Sequence, residues 1–412
     1  LLDKSLVSKE QHGFIRRRST CSNLLECLQD WMLSIDNKRI TDVIYIDFKK
    51  AFDQVSHNKL LLKLNSYGIT GDLYGWIKSF LSNRTQAVKL DGCLSSVIAI
   101  LSGVPQGSVL GPILFVLFIN DLVDCFKNLA VSTKLFADDL KLYTSYGLTD
   151  SSCDLTEALH RVTVWAKKWQ LTINSTKCNV LRIVNPRCKN KSDIVYDLNG
   201  SSLKVLSVVK DLGVAVDKNL RFDNHISSVV HKSLQRANLI LKCFQSRDRS
   251  LLMKAFKVYV RPLLEYATPV WSPHFMYLIL KIEHVQRSFT KRLFGLKNLT
   301  YIDRLKQLEI DTLERRRLIY DLCTCFKIIH GYNDTCLDMN RMHLEGRPNN
   351  TRGHNLKLAK EMCRTDMLRF FFCNRICTVW NSLPLDVVNA PSVNSFKKRV
   401  SKFNLDRFLT LK

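Results

Sequence analysis

Two adjacent aspartates inside an apolar hairpin sequence most constrain the fold of this 412-residue chain. Asp138 and Asp139 lie within LFADDLKLY (135–143), a pattern that predicts a strand, a tight turn and a second strand. Aspartate is common in turns, but a carboxylate among apolar residues needs a hydrogen-bonding partner or a cation. These two residues alone leave both interpretations open, a hairpin turn or a cation site.

A third carboxylate ends another apolar strand pattern. The run DVIYIDF (42–48) predicts a buried strand with Asp47 at its end. If the two strands share a sheet edge, their carboxylates suit hard divalent cations such as Mg²⁺. Two such ions clamp the attacking and leaving oxygens of an in-line phosphoryl displacement. The combination with Asp47 therefore favours nucleotide polymerisation over a simple turn.

The charge of the chain is basic and unevenly distributed. The net charge is +25, and residues 201–412 carry 37 Lys and Arg against 18 Asp and Glu. This excess favours a polyanionic partner, nucleic acid before an anionic membrane surface. The longest apolar run, 109–119, has eleven residues, whereas a membrane span needs roughly 18. The 14 scattered cysteines predict reduced intracellular thiols and no zinc site.

Hydrophobic spacing predicts an N-terminal part of mixed helices and strands and a C-terminal part of basic helices. Helices are expected at 22–39, 57–67, 73–81, 113–121, 154–170, 225–245, 250–266, 276–295 and 312–331, and strands at 42–48 and 177–184 and within 85–100 and 194–216. The segment 346–355 is rich in Pro, Gly and Asn and resembles a linker.

Five motifs occur in a fixed order: YIDFKKAFD (45–53), SGVPQGSVLGPILF (102–115), LFADD (135–139), LTINSTKC (171–178) and DLGV (211–214). QHGFIRRRST (11–20) precedes them, and YVRPLLEYATPVW (259–271) and VWNSLPLDVVNAPSVNSFKKRV (379–400) follow. Together they resemble a reverse transcriptase, in particular that of non-LTR (LINE) retrotransposons of the jockey group. The resemblance covers nearly the whole chain.

The resemblance implies an α+β fold, the polymerase right hand of fingers, palm and thumb, with a palm β-sheet packed on helices and a basic helical region after it. The implied domains are partial fingers at 1–41, palm with the remaining fingers elements at 42–223, thumb and basic helices at 224–345, and linker and small tail domain at 346–412. The family's earlier fingers segment and upstream endonuclease region do not occur in the sequence, so we expect an N-terminally truncated fragment.

The resemblance also assigns catalytic roles. Asp47, Asp138 and Asp139 match the metal-binding triad, with the Phe48 carbonyl as a further ligand, for two Mg²⁺ ions or Mn²⁺ as a substitute. Lys177 matches the lysine that protonates the departing pyrophosphate, although a solvated lysine would look the same in the sequence.

Four further residues match the nucleotide-binding positions of the family. Phe52 matches the aromatic gate that excludes a 2′-hydroxyl, with a packing aromatic as the alternative. Gln106 and Gly107 match the loop along the template and nascent base pair, where glycine permits close approach. Arg18 matches the fingers arginine that approaches the triphosphate, although its basic neighbours also fit a merely basic surface.

The basic C-terminal helices predict a surface that tracks phosphates without choosing a sequence, with an ordinary solvated face as the alternative. Leu239, Leu251, Phe256 and Tyr259 are expected to pack beneath it. The residues expected to bind nucleic acid from exposed helical faces are Lys254, Lys257, Arg261, Arg287, Lys291 and Arg292.

The expected function is RNA-directed DNA polymerisation at nicked target DNA. The expected partners are template RNA, primer or target DNA and dNTPs, with no membrane, in a ribonucleoprotein of the nucleus and cytoplasm. One alternative is a catalytically inactive nucleic-acid-binding remnant. Another is an RNA-templated RNA polymerase, but the large ring of Phe52 argues against it.

Overall fold

The computed structural model describes residues 6–147, 153–185, 194–335, 337 and 354–411. The chain divides into two compact units, the first of residues 1–23 and 38–207 and the second of residues 24–37 and 208–412. The first unit combines helices with the main sheet, and the second is mainly helical. This change along the chain confirms the mixed and helical parts expected from the hydrophobic spacing.

The first unit contains most of the strands, and its elements lie close to their predicted positions. In chain order they are β1 (Ile40–Ile46), α2 (His57–Ser66), α3 (Gly71–Leu81), β2 (Thr85–Gln86), β3 (Lys89–Leu90), β4 (Cys93–Leu94), β5 (Ile98–Ala99), α4 (Leu110–Ile119), a 3₁₀ helix (Asn120–Phe126), β6 (Ser132–Phe136), β7 (Asp139–Tyr146), α5 (Cys153–Trp169), β8 (Asn179–Ile183), β9 (Asp197–Leu198), β10 (Ser201–Ser202) and β11 (Lys204–Leu206). Helix α1 (Thr20–Asp36) begins in this unit and continues into the second.

Five strands form the main sheet in the order β11-β8-β1-β7-β6. Strand β1 is the central strand and pairs antiparallel with both β7 and β8. Its apolar run is buried almost throughout, as expected of a strand covered on both faces. Side chains of β1, α4 and α5 join one hydrophobic core, for example Ile44, Phe118 and Leu159. The central strand is therefore buried in this core, and Asp47 directly follows its last residue.

The predicted turn at Asp91-Gly92 is confirmed in a ribbon that spans residues 84–100. Strand β3 pairs with β4 across this turn, and β2 pairs with β5 farther from it. Asp91 and Gly92 both have positive φ, +47° and +87°. Two consecutive positive φ values are typical of the hairpin turn that Asp-Gly favours.

The second unit contains the rest of α1 and the C-terminal elements. These are β12 (Val208–Asp211), β13 (Val214–Asp217), α6 (Asp223–Cys243), α7 (Arg249–Ala255), a π-helix (Phe256–Val260), α8 (Arg261–Glu265), α9 (Thr268–Trp271), α10 (Met276–Lys291), α11 (Tyr301–Leu308), α12 (Leu313–Ile329), α13 (Asp366–Arg369), α14 (Phe372–Asn381), α15 (Leu385–Val388), α16 (Val393–Lys402) and a 3₁₀ helix (Asp406–Phe408). Most of the predicted linker at 346–355 lies outside the described residues.

Asp36, at the end of α1, shows why this helix groups with the C-terminal elements. Its Oδ1 accepts the backbone N–H groups of Arg364 and Thr365 at 3.0 and 2.7 Å. The hydroxyl of Thr365, the residue before α13, donates to the same oxygen at 2.8 Å. One buried carboxylate thus joins two segments more than 300 residues apart in the sequence.

Two expectations for the helical unit were only partly correct. The predicted helix 250–266 is helical from Arg249 to Glu265, but its middle part, Phe256–Val260, is a π-helix between α7 and α8. Phe256 is buried as expected, but Leu239, Leu251 and Tyr259 are exposed by 59%, 40% and 55% and do not pack in a core. Helical spacing identifies a shared face, but it does not show whether another element covers that face.

Within the described residues, no helix is long and apolar enough to cross a membrane.

The burial of His225 on α6 makes the stability of the second unit depend on pH. Its Nδ1 accepts the backbone N–H of Ala215 at 3.2 Å, and its ring meets the Trp271 ring edge-on at 5.2 Å. Among the described residues, its Nε2 has no hydrogen-bond partner. Burial, with a smaller contribution from the charge of Lys232, lowers the pKa of His225 from 6.5 to about 4. The folded unit therefore holds a neutral imidazole.

We expect the free energy of unfolding to fall as the pH drops through this interval. Between pH 6.5 and 4 the unfolded chain binds a proton at His225 that the folded chain does not. The contribution of this residue should decrease by about 2 kcal/mol from pH 8 to pH 5. Denaturant titrations of the parent chain and of His225→Asn, which can still accept from Ala215, measure the difference. Equal pH slopes in the two proteins would contradict the assignment.

Candidate active site

Asp47 and Asp139 lie at the same end of two neighbouring strands. Asp47 follows β1 directly, and Asp139 is the first residue of β7. In the antiparallel register Ile46 faces Leu140. Asp47, which follows Ile46, is therefore brought next to Asp139, which precedes Leu140. The turn that precedes β7 adds Asp138. The juxtaposition expected from the sequence is therefore present in the first unit.

The pKa of Asp138 is raised, whereas the pKa of a solvated aspartate in a turn would stay near its usual value. Burial is the largest cause that raises the pKa of Asp138, and the negative charge of Asp47 raises it further. A hydrogen bond with its own backbone acts in the opposite direction. A buried carboxylate whose charge is disfavoured by a neighbouring carboxylate is expected where a cation is to be held.

Lys177 is the cationic side chain that faces this end of the sheet. Its Nζ lies 3.8 Å from Oδ2 of Asp47, and its side chain is 68% exposed. The loop before it is attached to the end of β1, since Asn174 N–H donates to the Asp47 carbonyl at 2.8 Å. Lys49 N–H donates to the Thr172 carbonyl at the same distance. An exposed lysine on an anchored loop can reach an anion bound at this end of the sheet.

The carboxylates of Asp47, Asp138 and Asp139 fit a metal site that substrate would complete. Within the described part of the chain, no three His, Cys, Asp or Glu side chains approach closely enough to enclose a metal ion. Mg²⁺ is usually held by one or two carboxylates together with substrate phosphates and waters, not by a protein cage. Both backbone hydrogen bonds of the bridge between Phe48 and Ile173 are made by Asp47 and Lys49, the residues on either side of Phe48. The Phe48 carbonyl is therefore not used by that bridge.

Phe52 is held between two other aromatic rings. Its ring stacks on that of Phe115 with centroids 4.0 Å apart, and the ring of Phe14 meets it edge-on at 6.2 Å. Phe52 is half-buried, whereas Phe14 is exposed. The Phe52 backbone carbonyl also accepts the N–H of Val104 at 2.9 Å. A ring fixed on both sides has a defined edge, which suits a steric role as well as packing.

The segment that carries Phe52 is joined to the Gly/Pro loop through Asp53. Nε2 of Gln106 donates to Oδ1 of Asp53 at 2.8 Å, and the Ser102 hydroxyl donates to the Asp53 carbonyl at 2.9 Å. Gly103 is required here because a Cβ would lie 2.9 Å from the backbone of Asp53. Gly107 is exposed with φ +83°, in the left-handed region. The structure thus brings Phe52 and Gln106 into one connected region.

Arg18 is engaged with the backbone of its own segment. Its Nη1 donates to the carbonyls of Lys9 and Gln11, the latter at 3.0 Å. The side chain is half-buried. Contact with a triphosphate would require these bonds to be exchanged, and the role of Arg18 stays a prediction.

The predicted nucleic-acid-binding residues all lie in the second unit but differ in exposure. Lys254, Arg287, Lys291 and Arg292 are exposed and Lys257 is half-buried. Arg261 was expected on an exposed face, and this was wrong. Its side chain is only 23% exposed and lies 3.7 Å from Glu265, which also pairs with Arg316. Arg261 belongs to an internal ion-pair group because α8 packs against its neighbours.

Sequence reasoning did not identify three residues that support this region. Gln11 and Gly13 belong to QHGF, where only the later arginine was assigned a role, and both contact the turn before Asp138. Asp53 accepts from Gln106 across 53 positions. The motifs containing these residues were visible, but their long-range partners were not.

Comparisons with known proteins agree with the motif order. A family model described as "Reverse transcriptase (RNA-dependent DNA polymerase)" matches residues 1–216. The RNA-directed DNA polymerase from mobile element jockey of Drosophila funebris is 32% identical over 300 residues, which cover 70% of this chain and 32% of the relative. The probable RNA-directed DNA polymerase from transposon BS of Drosophila melanogaster is 28% identical and covers 66% of this chain and 31% of the relative.

The chain therefore spans about a third of the length of these curated relatives. Among solved structures, apo telomerase from Candida tropicalis is 14% identical with a TM-score of 0.42, covering 79% of this chain and 52% of that one. The family model extends over more than half of the chain and includes all the residues around Asp47 and Asp138. The chain belongs to the reverse transcriptase family.

Proposed function

We propose that this chain is the polymerase part of a non-LTR retrotransposon protein and extends a DNA 3′-hydroxyl along an RNA template. The observation that carries the proposal is the placement of Asp47 and the Asp138–Asp139 turn at one end of paired strands β1 and β7. The named activity of the jockey relative supports it. The primer would be nicked target DNA, and the protein would act in a ribonucleoprotein of the nucleus and cytoplasm.

The proposed divalent ions would be held by Asp47, Asp138 and Asp139 with the Phe48 carbonyl. When bound, two Mg²⁺ ions would polarise the primer hydroxyl and neutralise the triphosphate, and Mn²⁺ could substitute. The raised pKa of Asp138 is consistent with this role, because a nearby cation would favour the carboxylate form. Lys177, whose Nζ lies 3.8 Å from Oδ2 of Asp47, would donate a proton to the departing pyrophosphate.

The remaining site residues would position the nucleotide. Phe52, held by its ring contacts, would occupy the space of a 2′-hydroxyl. Gln106 and Gly107 would lie along the template base, and Arg18 would approach the triphosphate. In this assignment residues 1–41 and 42–223 form the fingers and palm, 224–345 the thumb and basic helices, and 346–412 the linker and tail.

Phe52→Val is expected to admit ribonucleotides, because the smaller side chain no longer fills the space of the 2′-hydroxyl. The ratio of dNTP to rNTP efficiency should fall by about tenfold or more, the scale of one misfitting group in a pocket. Single-nucleotide incorporation with each sugar measures the ratio. Phe52→Tyr is the matched control, since it keeps the ring and should keep the ratio. A ratio that stays constant in Phe52→Val would assign Phe52 to packing alone.

The exposed basic residues are expected to contribute to binding through phosphate contacts. Lys254→Glu with Lys291→Glu should weaken primer–template binding and reduce the slope of log affinity against log salt by about 2. Lys398→Glu with Lys402→Glu is the matched control, because it changes the charge equally on exposed positions of α16. Equal effects of the two pairs would show that net charge alone governs binding.

Extension measured beside binding separates an enzyme from an inactive remnant. A DNA primer annealed to an RNA template is titrated with the parent chain at several salt concentrations, with dNTPs and Mg²⁺ present. The proposal expects extension to follow occupancy, so that the Lys254/Lys291 variant recovers activity at high protein concentration. A remnant would bind with the same salt dependence and extend nothing at any concentration, and this result would reject the proposed activity.

A further inference from the structure

The turn that carries Asp138 has a backbone conformation that its sequence does not favour. Phe136 pairs with Asp139, so only Ala137 and Asp138 form the loop between β6 and β7. Ala137 has φ +56°, in the left-handed region. Two-residue hairpin loops normally place Gly, Asn or Asp at such positions, because a Cβ is disfavoured there. Some other contact must therefore specify this turn.

The side-chain amide of Gln11 makes that contact. Its Oε1 accepts the backbone N–H of Ala137 at 2.9 Å, and its Nε2 donates to the Ala137 carbonyl at 3.2 Å. One amide thus binds both polar groups of the residue that has the unusual φ. Gln11 is 1% exposed, so water does not compete for these bonds.

The orientation of this amide is itself fixed. Gly13 N–H donates to the same Oε1 at 2.7 Å, so two N–H donors face one atom and identify it as the oxygen. The backbone on each side is paired with β6, since His12 N–H donates to the Leu135 carbonyl at 2.9 Å. Leu135 N–H in turn donates to the Glu10 carbonyl at 3.0 Å. These contacts fix the Gln11 side chain independently of its two bonds to Ala137.

Gly13 allows the two segments to come this close. A Cβ at this position would lie 2.3 Å from the backbone nitrogen of Ala137 and 3.0 Å from its Cα. Backbone atoms cannot move aside as the end of a flexible side chain can. The QHGF segment thus combines a residue that binds the turn with a residue that makes room for it.

We propose that Gln11 is a positioning residue for the carboxylates of Asp138 and Asp139. By holding Ala137 in the left-handed conformation, the Gln11 amide sets the direction in which the chain leaves the turn, and with it the placement of both carboxylates relative to Asp47. Gln11 touches none of the reacting groups and acts only through Ala137. The assignment rests on the proposed polymerase function of the same site.

The first test compares Gln11→Ala with a matched control. Gln11→Ala should lower kcat of primer extension by about 10- to 100-fold, leave the KM for dNTP within about threefold, and raise the Mg²⁺ concentration needed for half-maximal rate. Asn23→Ala is the control, because it also removes a buried amide of this region, whose Nδ2 donates to the Leu135 carbonyl of β6 and whose Oδ1 accepts from Lys141 of β7, and neither bond involves Ala137. Equal kinetic losses in the two variants would reduce Gln11 to a stabilising contact and overturn the proposal.

Two further variants separate positioning from stability. Gln11→Glu is isosteric, but its carboxylate would face the Ala137 carbonyl, so it should lose kcat as Gln11→Ala does. Ala137→Gly lets the turn adopt a positive φ without help. In the Ala137→Gly background, Gln11→Ala should therefore cost less in kcat than in the parent chain. An undiminished loss in that background would contradict the positioning role.

Metal binding gives a readout that does not depend on activity. The affinity of the parent chain and of Gln11→Ala for Mn²⁺ alone is measured by electron paramagnetic resonance, with the Asn23→Ala chain beside them. Gln11→Ala should bind Mn²⁺ at least about fivefold more weakly, and Asn23→Ala should match the parent. If the parent extends no primer, the proposed function fails, and Mn²⁺ binding alone then decides. Equal Mn²⁺ affinities of the parent and Gln11→Ala would overturn the positioning role.

Discussion

Asp138→Asn is expected to reduce primer extension by at least about a hundredfold, the scale of a lost electrostatic contact to developing charge. The amide keeps the size of the side chain and removes the charge that would hold a divalent ion beside Asp47. Affinity for the primer–template should stay within about twofold, because the proposed function assigns it to phosphate contacts of the basic residues. Single-turnover extension and a binding titration on the same preparations measure the two quantities.

Asp72→Asn is the matched control for this experiment. It makes the same chemical change at an exposed carboxylate in the first turn of α3. Extension by Asp72→Asn should equal that of the parent chain. If Asp138→Asn also extends at the parental rate, the carboxylates at this end of the sheet do not hold the catalytic ions, and the site assignment is wrong.

Asp42→Ala is expected to lower the free energy of unfolding of the first unit by about 3–5 kcal/mol. Asp42 is fully buried on β1, and its Oδ2 accepts the hydroxyls of Tyr146 and Tyr196, each at 2.8 Å. Its Oδ1 accepts Nε of Arg182 at 2.8 Å, and Nη2 of Arg182 donates to Oδ2 at 3.0 Å. Removing this carboxylate would leave much of a buried positive charge uncompensated.

Denaturant titration of the parent and variant chains measures this loss. Glu157→Ala is the control, because it removes a carboxylate that pairs with Arg161 on the exposed surface of α5. Such surface pairs contribute little to stability, so its unfolding midpoint should equal that of the parent. Equal stability of Asp42→Ala and the parent would show that the tyrosine hydroxyls and Arg182 find other partners without cost.

The local structure of the site could be predicted from the sequence. An apolar run before Asp47 and an apolar pattern around Asp138 predict two strands and a tight turn, and β1, β6 and β7 have these positions. The pairing of β1 with β7 could be expected only as a hypothesis, since it joins residues about a hundred positions apart. The motif order, not the periodicity, indicated that these strands belong to one site.

Side-chain contacts between distant segments could not be predicted. The positive φ of Ala137 gives no signal in the sequence, because alanine rarely adopts it without outside support. Arg261 shows the same limit. Its position in the helical pattern predicts an exposed side chain, but it pairs with the largely buried carboxylate of Glu265. The grouping of residues 24–37 with the C-terminal unit likewise depends on contacts such as those of Asp36, which no local pattern encodes.

The central claim is tested most directly by primer extension on a defined RNA template, with sequencing of the product. The parent chain is mixed with a DNA primer, the RNA, dNTPs and Mg²⁺, and the reaction is repeated without the template and without Mg²⁺. The account predicts DNA complementary to the RNA, formed only in the complete reaction. A primer left unextended at concentrations where the chain saturates the primer–template would contradict it.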